Sequence, residues 1–160
     1  MKDEICSAAL AVSVLALTPK MYNYRYNQLK AAGQNLNHLL SSGHAAALTG
    51  VIANARLCLC LVDRFAVHND ITQRIHEKYP AVKVVQMPKA EADIAVAAAS
   101  VLARAEFLRI MAELEAQAGI QIPKGGSDAA TSCARLIAEK FGKESLANFV
   151  KLHFANYKRI

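Results

Sequence analysis

The 160-residue chain has no CxxC pair, internal repeat, low-complexity tract or linker, and no apolar run long enough to cross a bilayer. Without CxxC spacing, Cys6, Cys58, Cys60 and Cys133 carry no zinc signature. Cys58 and Cys60 alternate inside an apolar run, which fits buried, reduced thiols in a cytoplasmic protein. Without a linker or repeat a second domain has no support, and 160 residues at 54% hydrophobic content suffice for one domain with a core. The apolar segment Ile5 to Leu17 follows Lys2, Asp3 and Glu4 and is too short for a bilayer span, so neither a secretory signal nor a membrane partner is expected. "KGGS" at Lys124 to Ser127 lacks the P-loop pattern, although two glycines beside a lysine leave the backbone open to a phosphate.

What the chain does hold is positive charge. Nineteen Lys and Arg against thirteen Asp and Glu give +6, and from Lys124 onward seven basic residues face three acids. With Phe154 and Tyr157 among those charges, the C-terminal end suits a polyanion such as nucleic acid. An ordinary solvated helix face would carry the same charges.

"LCLCLV", Leu57 to Val62, is short, wholly apolar and followed by Asp63, the pattern of a buried strand with an acid at its carboxyl end. "AVKVVQM", Ala81 to Met87, has the same character. Between them, Ile71, Ile75 and Tyr79 have helical spacing, with Asn69 as cap and Pro80 as stop. A strand, helix, strand unit of this kind predicts a parallel sheet and an α/β fold. Upstream, "HAAALTGVIANARL" is helix-compatible, while "SSG" at Ser41 to Gly43 predicts a turn. From Asp93, the steps Ile94, Ala97, Val101, Ala105, Leu108 and Ala112 predict one long helix ending near Gly119. Two more helices are expected, one from about Asp128 capped by Ser127, and one from about Glu144 with Leu146, Phe149, Val150, His153 and Phe154 on one stripe.

The carboxyl ends of strands in open α/β sheets are where ligands bind, so Asp63 stands where a catalytic acid would. Glu91 follows the second strand by four residues, and the two acids meet if the strands are neighbours. Two carboxylates there would suit magnesium, a hard ion that takes oxygen ligands and keeps several waters. Each acid also has an ordinary role: a turn or cap for Asp63, and a favourable charge at a helix N-terminus for Glu91. Ser100 and Arg104, four apart on the long helix, share a face. A hydroxyl and a guanidinium together receive a phosphate, unless Ser100 bonds back to the helix and Arg104 reaches solvent. His44 and His153 are each single, and packing accounts for them better than metal binding.

Taken in order, "LVDRFA", "KAEADIAVAAASVLARAEF", "IPKGG" and "KLHFANYK" strongly resemble bacterial ribonuclease HIII, of the type 2 ribonuclease H relatives. "SVLALTPKMYN" and "NLNHLLSSGHAAAL" are similar to the segment those enzymes carry before the strand that ends in their third acid. The resemblance covers nearly the whole chain. It implies one partial ribonuclease H-like catalytic domain over residues 1–160, with a truncated sheet, helices and a C-terminal helical portion. It further implies endonucleolytic hydrolysis of the RNA strand of RNA–DNA hybrids, with Mg²⁺ or Mn²⁺ activating water and stabilising the leaving oxygen. A 3′ hydroxyl and a 5′ phosphate are the implied products. In the family four carboxylates hold the metals, and the motif match makes Asp63 the third and Glu91 the fourth. Arg64 stands where the family commonly has Gln. By position, Ser100, Arg104 and Lys124 would face the hybrid backbone.

The family's first two acids come as adjacent Asp-Glu on a first strand, followed by a small residue and glycines. Asp3 and Glu4 are adjacent, but "DEICSAA" has no glycine and the following "AVSVLALTP" resembles a later segment. This pair is therefore expected on a helix. The chain is expected to lack the first strands, two metal ligands and the family's N-terminal substrate-binding domain, which would leave a sheet edge bare and make a missing N-terminal segment a partner. The rival reading recruits Asp3 and Glu4 as ligands, with "ICSAALAVSVLAL" as the first strand. In function, a hybrid-cleaving enzyme stands against a catalytically inactive fragment that only binds nucleic acid through its basic C-terminal half, and against a fragment with no role of its own.

Overall fold

In the computed structural model, residues 1–67 and 70–160 are described, with backbone alone at 158 and 159. The element order is α1 (Lys2–Ala8), α2 (Pro19–Ala31), α3 (Leu36–Asn54), β1 (Leu59–Asp63), α4 (Ile71–His76), β2 (Lys83–Met87), α5 (Ile94–Ala118) and α6 (Asp128–Phe141). Turns of 3-10 helix occupy Ala90–Ala92, Lys143–Asn148 and Ala155–Arg159. The class is α/β, mostly helical with a small sheet, and β1 and β2 run parallel from Leu59 opposite Lys83 to Asp63 opposite Met87, as the strand, helix, strand pattern predicts. The chain forms two compact units, residues 1–16 with 32–106, and residues 17–31 with 107–160, so α5 contributes its first half to one and its second half to the other.

In the first unit, alternation along β1 buries Cys60 and Val62 and turns Leu59, Leu61 and Asp63 to the opposite face. The buried pair joins Ala45 and Ile52 of α3, Ile71 and Ile75 of α4, and Val82 in one apolar cluster. Ile71 and Ile75 are four apart and fully buried, so α4 needs only two anchors to fix its face. The Asn69 cap expected for this helix lies outside the described residues; Asp70 holds the N-cap position and its carboxylate accepts from Arg74 Nε at 2.8 Å.

In the second unit, Ile137, Ala134 and Cys133 of α6 pack on Leu114 and Ala118 of α5, with Ile122, Leu146 and Val150 closing the cluster. Gly119, at φ +69, ends α5 in the left-handed region. The last carbonyl is covered by Lys140, whose Nζ donates to Ala118 O at 2.9 Å. Ser127 caps α6, its Oγ accepting from Ala130 N at 3.3 Å.

Three expectations are corrected. Ser41 to Gly43 lie inside α3 rather than in a turn: the helix starts at the Asn35 and His38 capping box, Ser41 is fully buried, and Ser42 Oγ donates back to His38 O at 2.8 Å. The helix expected from Glu144 is instead two 3-10 turns separated by residues 149–154. There Asn23 of α2 replaces helical hydrogen bonding, its Nδ2 donating to Ala147 O at 3.0 Å and Val150 O at 2.8 Å while its Oδ1 accepts from Leu152 N at 2.9 Å. Cys58 is exposed rather than buried: its carbonyl accepts from Lys83 N at 2.9 Å, but its side chain is not part of the apolar cluster that takes up Cys60, which is buried as expected.

Candidate functional site

The site at the end of the sheet begins with a local turn. After β2 the chain passes through Met87 and Pro88 to Lys89, a non-glycine residue in the left-handed region at φ 57. That reversal starts the Ala90–Ala92 turn and aims the Ala90 N–H back across the sheet, where it donates to Asp63 Oδ1 at 3.2 Å. Asp63 and Glu91 are thereby brought to one end of the strand pair, Glu91 following directly on the residue that holds Asp63. Both acids are exposed.

The cap of α5 falls to neither of them. Asp93 Oδ1 accepts from Ala95 N at 2.8 Å and Asp93 O accepts from Ala97 N at 2.9 Å, so Asp93 starts the helix. Glu91 stays out of that role, and among the described residues no side chain or backbone donor engages its carboxylate. With one oxygen of Asp63 held by a backbone N–H, this all-oxygen pair fits a hard divalent cation that keeps part of its water shell. Among the described residues no three His, Cys, Asp or Glu side chains converge as a metal site. Asp3 and Glu4 do not complete such a group: they lie on α1, Glu4 pairs with the Met1 ammonium at 2.9 Å, and residues 9–18 form no strand.

His44, read from sequence as a packing residue, has a second connection. Its ring stacks on Phe65 with centroids 5.0 Å apart and planes 18° apart. Burial lowers its pKa below the ordinary histidine value, and the charge of Asp63 acts in the opposite direction, so the imidazole lies within electrostatic reach of the strand-end acid. His44 and Asp63 are on different elements, and no spacing pattern links them.

The remaining candidates are distributed. Ser100 and Arg104 are exposed one turn apart on α5, and Ser100 Oγ donates to Val96 O at 3.1 Å. Lys124 is exposed in the second unit, beside Gly125 at φ +94, in the loop before α6. Neither Gly125 nor Gly126 has any other group within 4 Å of the space a Cβ would fill, so the loop backbone there is open.

The comparisons with known proteins agree in direction. Ribonuclease HIII of Protochlamydia amoebophila is 35% identical over 88% of this chain and 46% of its own. Ribonuclease HIII of Listeria monocytogenes is 32% identical, covering 99% of this chain and 54% of its own. Among solved structures, Bst ribonuclease HIII in complex with Mn²⁺ superposes with a TM-score of 0.78 at 29% identity, over 92% of this chain and 48% of that one. The chain thus spans about half the length of the curated relatives it matches. The family model described as ribonuclease HII matches residues 1–157, and on that extent the chain belongs to the ribonuclease HII family.

Proposed function

We propose that residues 1–160 act as a partial ribonuclease H-like catalytic domain, which hydrolyses the RNA strand of RNA–DNA hybrids endonucleolytically in the cytoplasm with Mg²⁺ or Mn²⁺. The observation that carries this reading is the Ala90 N–H bond to Asp63 Oδ1, which ties the residue before Glu91 to the acid that ends a parallel strand. Relatives named ribonuclease HIII and a related structure holding Mn²⁺ support it.

Asp63 and Glu91 would hold the metal. When bound, it supplies an activated water and stabilises the leaving oxygen, giving a 3′ hydroxyl and a 5′ phosphate. The backbone bond fixes one Asp63 oxygen and so limits rotation of the carboxylate, which leaves the second oxygen for the ion. Ser100, Arg104 and Lys124 would meet the hybrid backbone, Arg104 and Lys124 through charge and Ser100 through its hydroxyl. Two further carboxylates would complete the set that the resemblance implies, and an additional N-terminal segment is the partner that would carry them.

A second reading, hybrid binding without cutting, draws on the count of candidate ligands: Asp63 and Glu91 are two, whereas the resemblance implies four. Cleavage of an end-labelled RNA–DNA hybrid with Mg²⁺ and with Mn²⁺, beside Asp63→Asn, separates the two. Cutting that disappears in the variant supports hydrolysis. A folded chain that binds the hybrid in a salt-dependent way, cuts nothing and ignores Asp63→Asn supports binding alone.

A further inference from the structure

Residues 5–62 contain no Asp or Glu, while Lys20, Arg25, Lys30 and Arg56 fall inside that stretch. α2 concentrates this charge with tyrosines: its sequence PKMYNYRYNQLKA interleaves three Tyr with three cations. In the second unit α2 borders a cleft of about 210 Å³ lined by Asn23, Tyr26, Asn27, Lys30, Leu152 and His153. No carboxylate is among those six.

One wall of the cleft is aromatic and braced from behind. The Tyr26 ring stacks on Tyr22 at 6.1 Å with planes 6° apart, and His153 lies 5.0 Å from Tyr26, 5.3 Å from Tyr22 and 4.1 Å from Phe154. Lys151 Nζ sits 4.5 Å from the Tyr22 centroid, adding a cation to the same stack. Asn23 is buried, both its amide hydrogens are donated and its Oδ1 accepts from Leu152 N, so it holds the wall in place and has no donor left for a ligand. Asn27 and Lys30 are exposed at the opening.

An aromatic wall in which the His153 ring is tilted 38° to that of Tyr26, a carboxamide able to donate and accept, and an ammonium with no acid among the lining residues match the three parts of a nucleotide. We infer that this cleft takes one unpaired nucleotide of a single-stranded nucleic acid, its base against Tyr26 and His153, its edge at Asn27 and its phosphate at Lys30. A free phosphate would use Lys30 and leave the rings idle; an acidic peptide would leave the carboxamide and rings without planar partners. The six lining residues offer one aromatic face, one carboxamide and one ammonium, the contacts of a single nucleotide. Stacking of this kind is tolerant of sequence, since every base presents a π-face.

The test uses the whole chain in EDTA with a single-stranded DNA oligonucleotide carrying one 2-aminopurine. Neither metal nor a hybrid is present, so its outcome is independent of the hydrolysis reading. Binding should quench the 2-aminopurine. Tyr26→Ala should remove the quench and weaken binding about tenfold, Tyr26→Phe should retain both, and Lys30→Gln should weaken binding and lower the salt slope by about one. On the unaltered chain, the His153 ring resonances should shift when the dinucleotide dTpdT is added. Unmoved His153 resonances would overturn the inference, as would equal losses in Tyr26→Ala and Tyr26→Phe, or displacement of the oligonucleotide by inorganic phosphate at the concentration that saturates Lys30.

Discussion

Replacing Asn23 by alanine removes three hydrogen bonds at once, two donated to the carbonyls of Ala147 and Val150 and one accepted from the Leu152 amide. A typical buried bond contributes about 1 kcal/mol net, and a polar group left buried without a partner costs about 1–3 kcal/mol. The Val150 bond is buried and the other two are half-buried, so only the first loss is charged in full; water replaces part of the rest. The expected destabilisation is about 3 kcal/mol, or roughly 6–12 °C in Tm for a chain of 160 residues. Among the described residues no other side chain bonds these three backbone groups, which lie in and after the 3-10 turn Lys143–Asn148.

The assay is urea and thermal unfolding followed by near-UV circular dichroism. The chain has no tryptophan, and Tyr22, Tyr24, Tyr26 and Tyr157 all lie in the unit that holds Asn23, with Tyr79 alone in the other. The signal therefore reports chiefly on the unit being perturbed. Asn23→Asp separates the two roles: it keeps an acceptor for Leu152 N but turns oxygens toward two carbonyls, and it should destabilise at least as much as alanine at neutral pH. A loss below about 0.5 kcal/mol in Asn23→Ala, the bottom of the range for one bond, would refute the claim that this side chain organises the C-terminal turns.

Asp63→Asn should weaken Mn²⁺ binding at least tenfold by calorimetry while leaving far-UV dichroism unchanged, and Glu91→Gln should do the same; unchanged affinity in both would remove these acids as ligands. Asp70 titrates below the ordinary aspartate value: burial raises it, but its hydrogen bonds, led by that from Arg74, together with the Arg74 charge outweigh that effect. Its contribution to stability is thus present above the unfolded-state pKa and is lost as pH falls through the folded value. Asp70→Asn should accordingly flatten the acid limb of the stability curve below about pH 4, by no more than about 1 kcal/mol since both side chains are partly exposed. Gly50 lies inside α3, where alanine would ordinarily gain about 1 kcal/mol. A Cβ there would collide with Ser13 Oγ and come within 2.8 Å of Ser13 Cβ. Gly50→Ala should therefore lower Tm, with Ser13→Gly in the same chain restoring it.

The parts of the fold that were legible are those whose signal is local. β1 and β2 are short apolar runs, α6 carries its own cap, and α5 has apolar residues at helical spacing and a terminal glycine, although its buried residues are Leu102, Leu114 and Ala118 rather than any of the six in that series. The errors arise where burial, a back-bond within the helix or a distant partner overrides a local preference. Ser41 and Ser42 have turn chemistry, yet burial of Ser41 and the back-bond of Ser42 hold them in α3. The stripe from Leu146 to Phe154 has helical spacing, yet Asn23, more than a hundred residues earlier, takes the carbonyls that a helix would have used.

The same division runs through the candidate sites. Asp63 and Glu91 could be named as candidates because a parallel strand, helix, strand unit brings the carboxyl ends of its two strands together; they are 28 positions apart in sequence, with one crossover between them. His44 and Phe65 need α3 to pack against the sheet before their stack exists, and the Tyr26 and His153 wall needs two ends of the chain to fold into one unit. Periodicity reports on contacts within an element and is silent on these. What the sequence could have offered instead is composition: a 58-residue stretch, residues 5–62, free of carboxylates, with tyrosines and cations interleaved in the middle of it, is difficult to explain as a solvated face. A soluble helix surface ordinarily mixes both signs of charge, so such a one-sided stretch points to an anionic ligand before any contact is known.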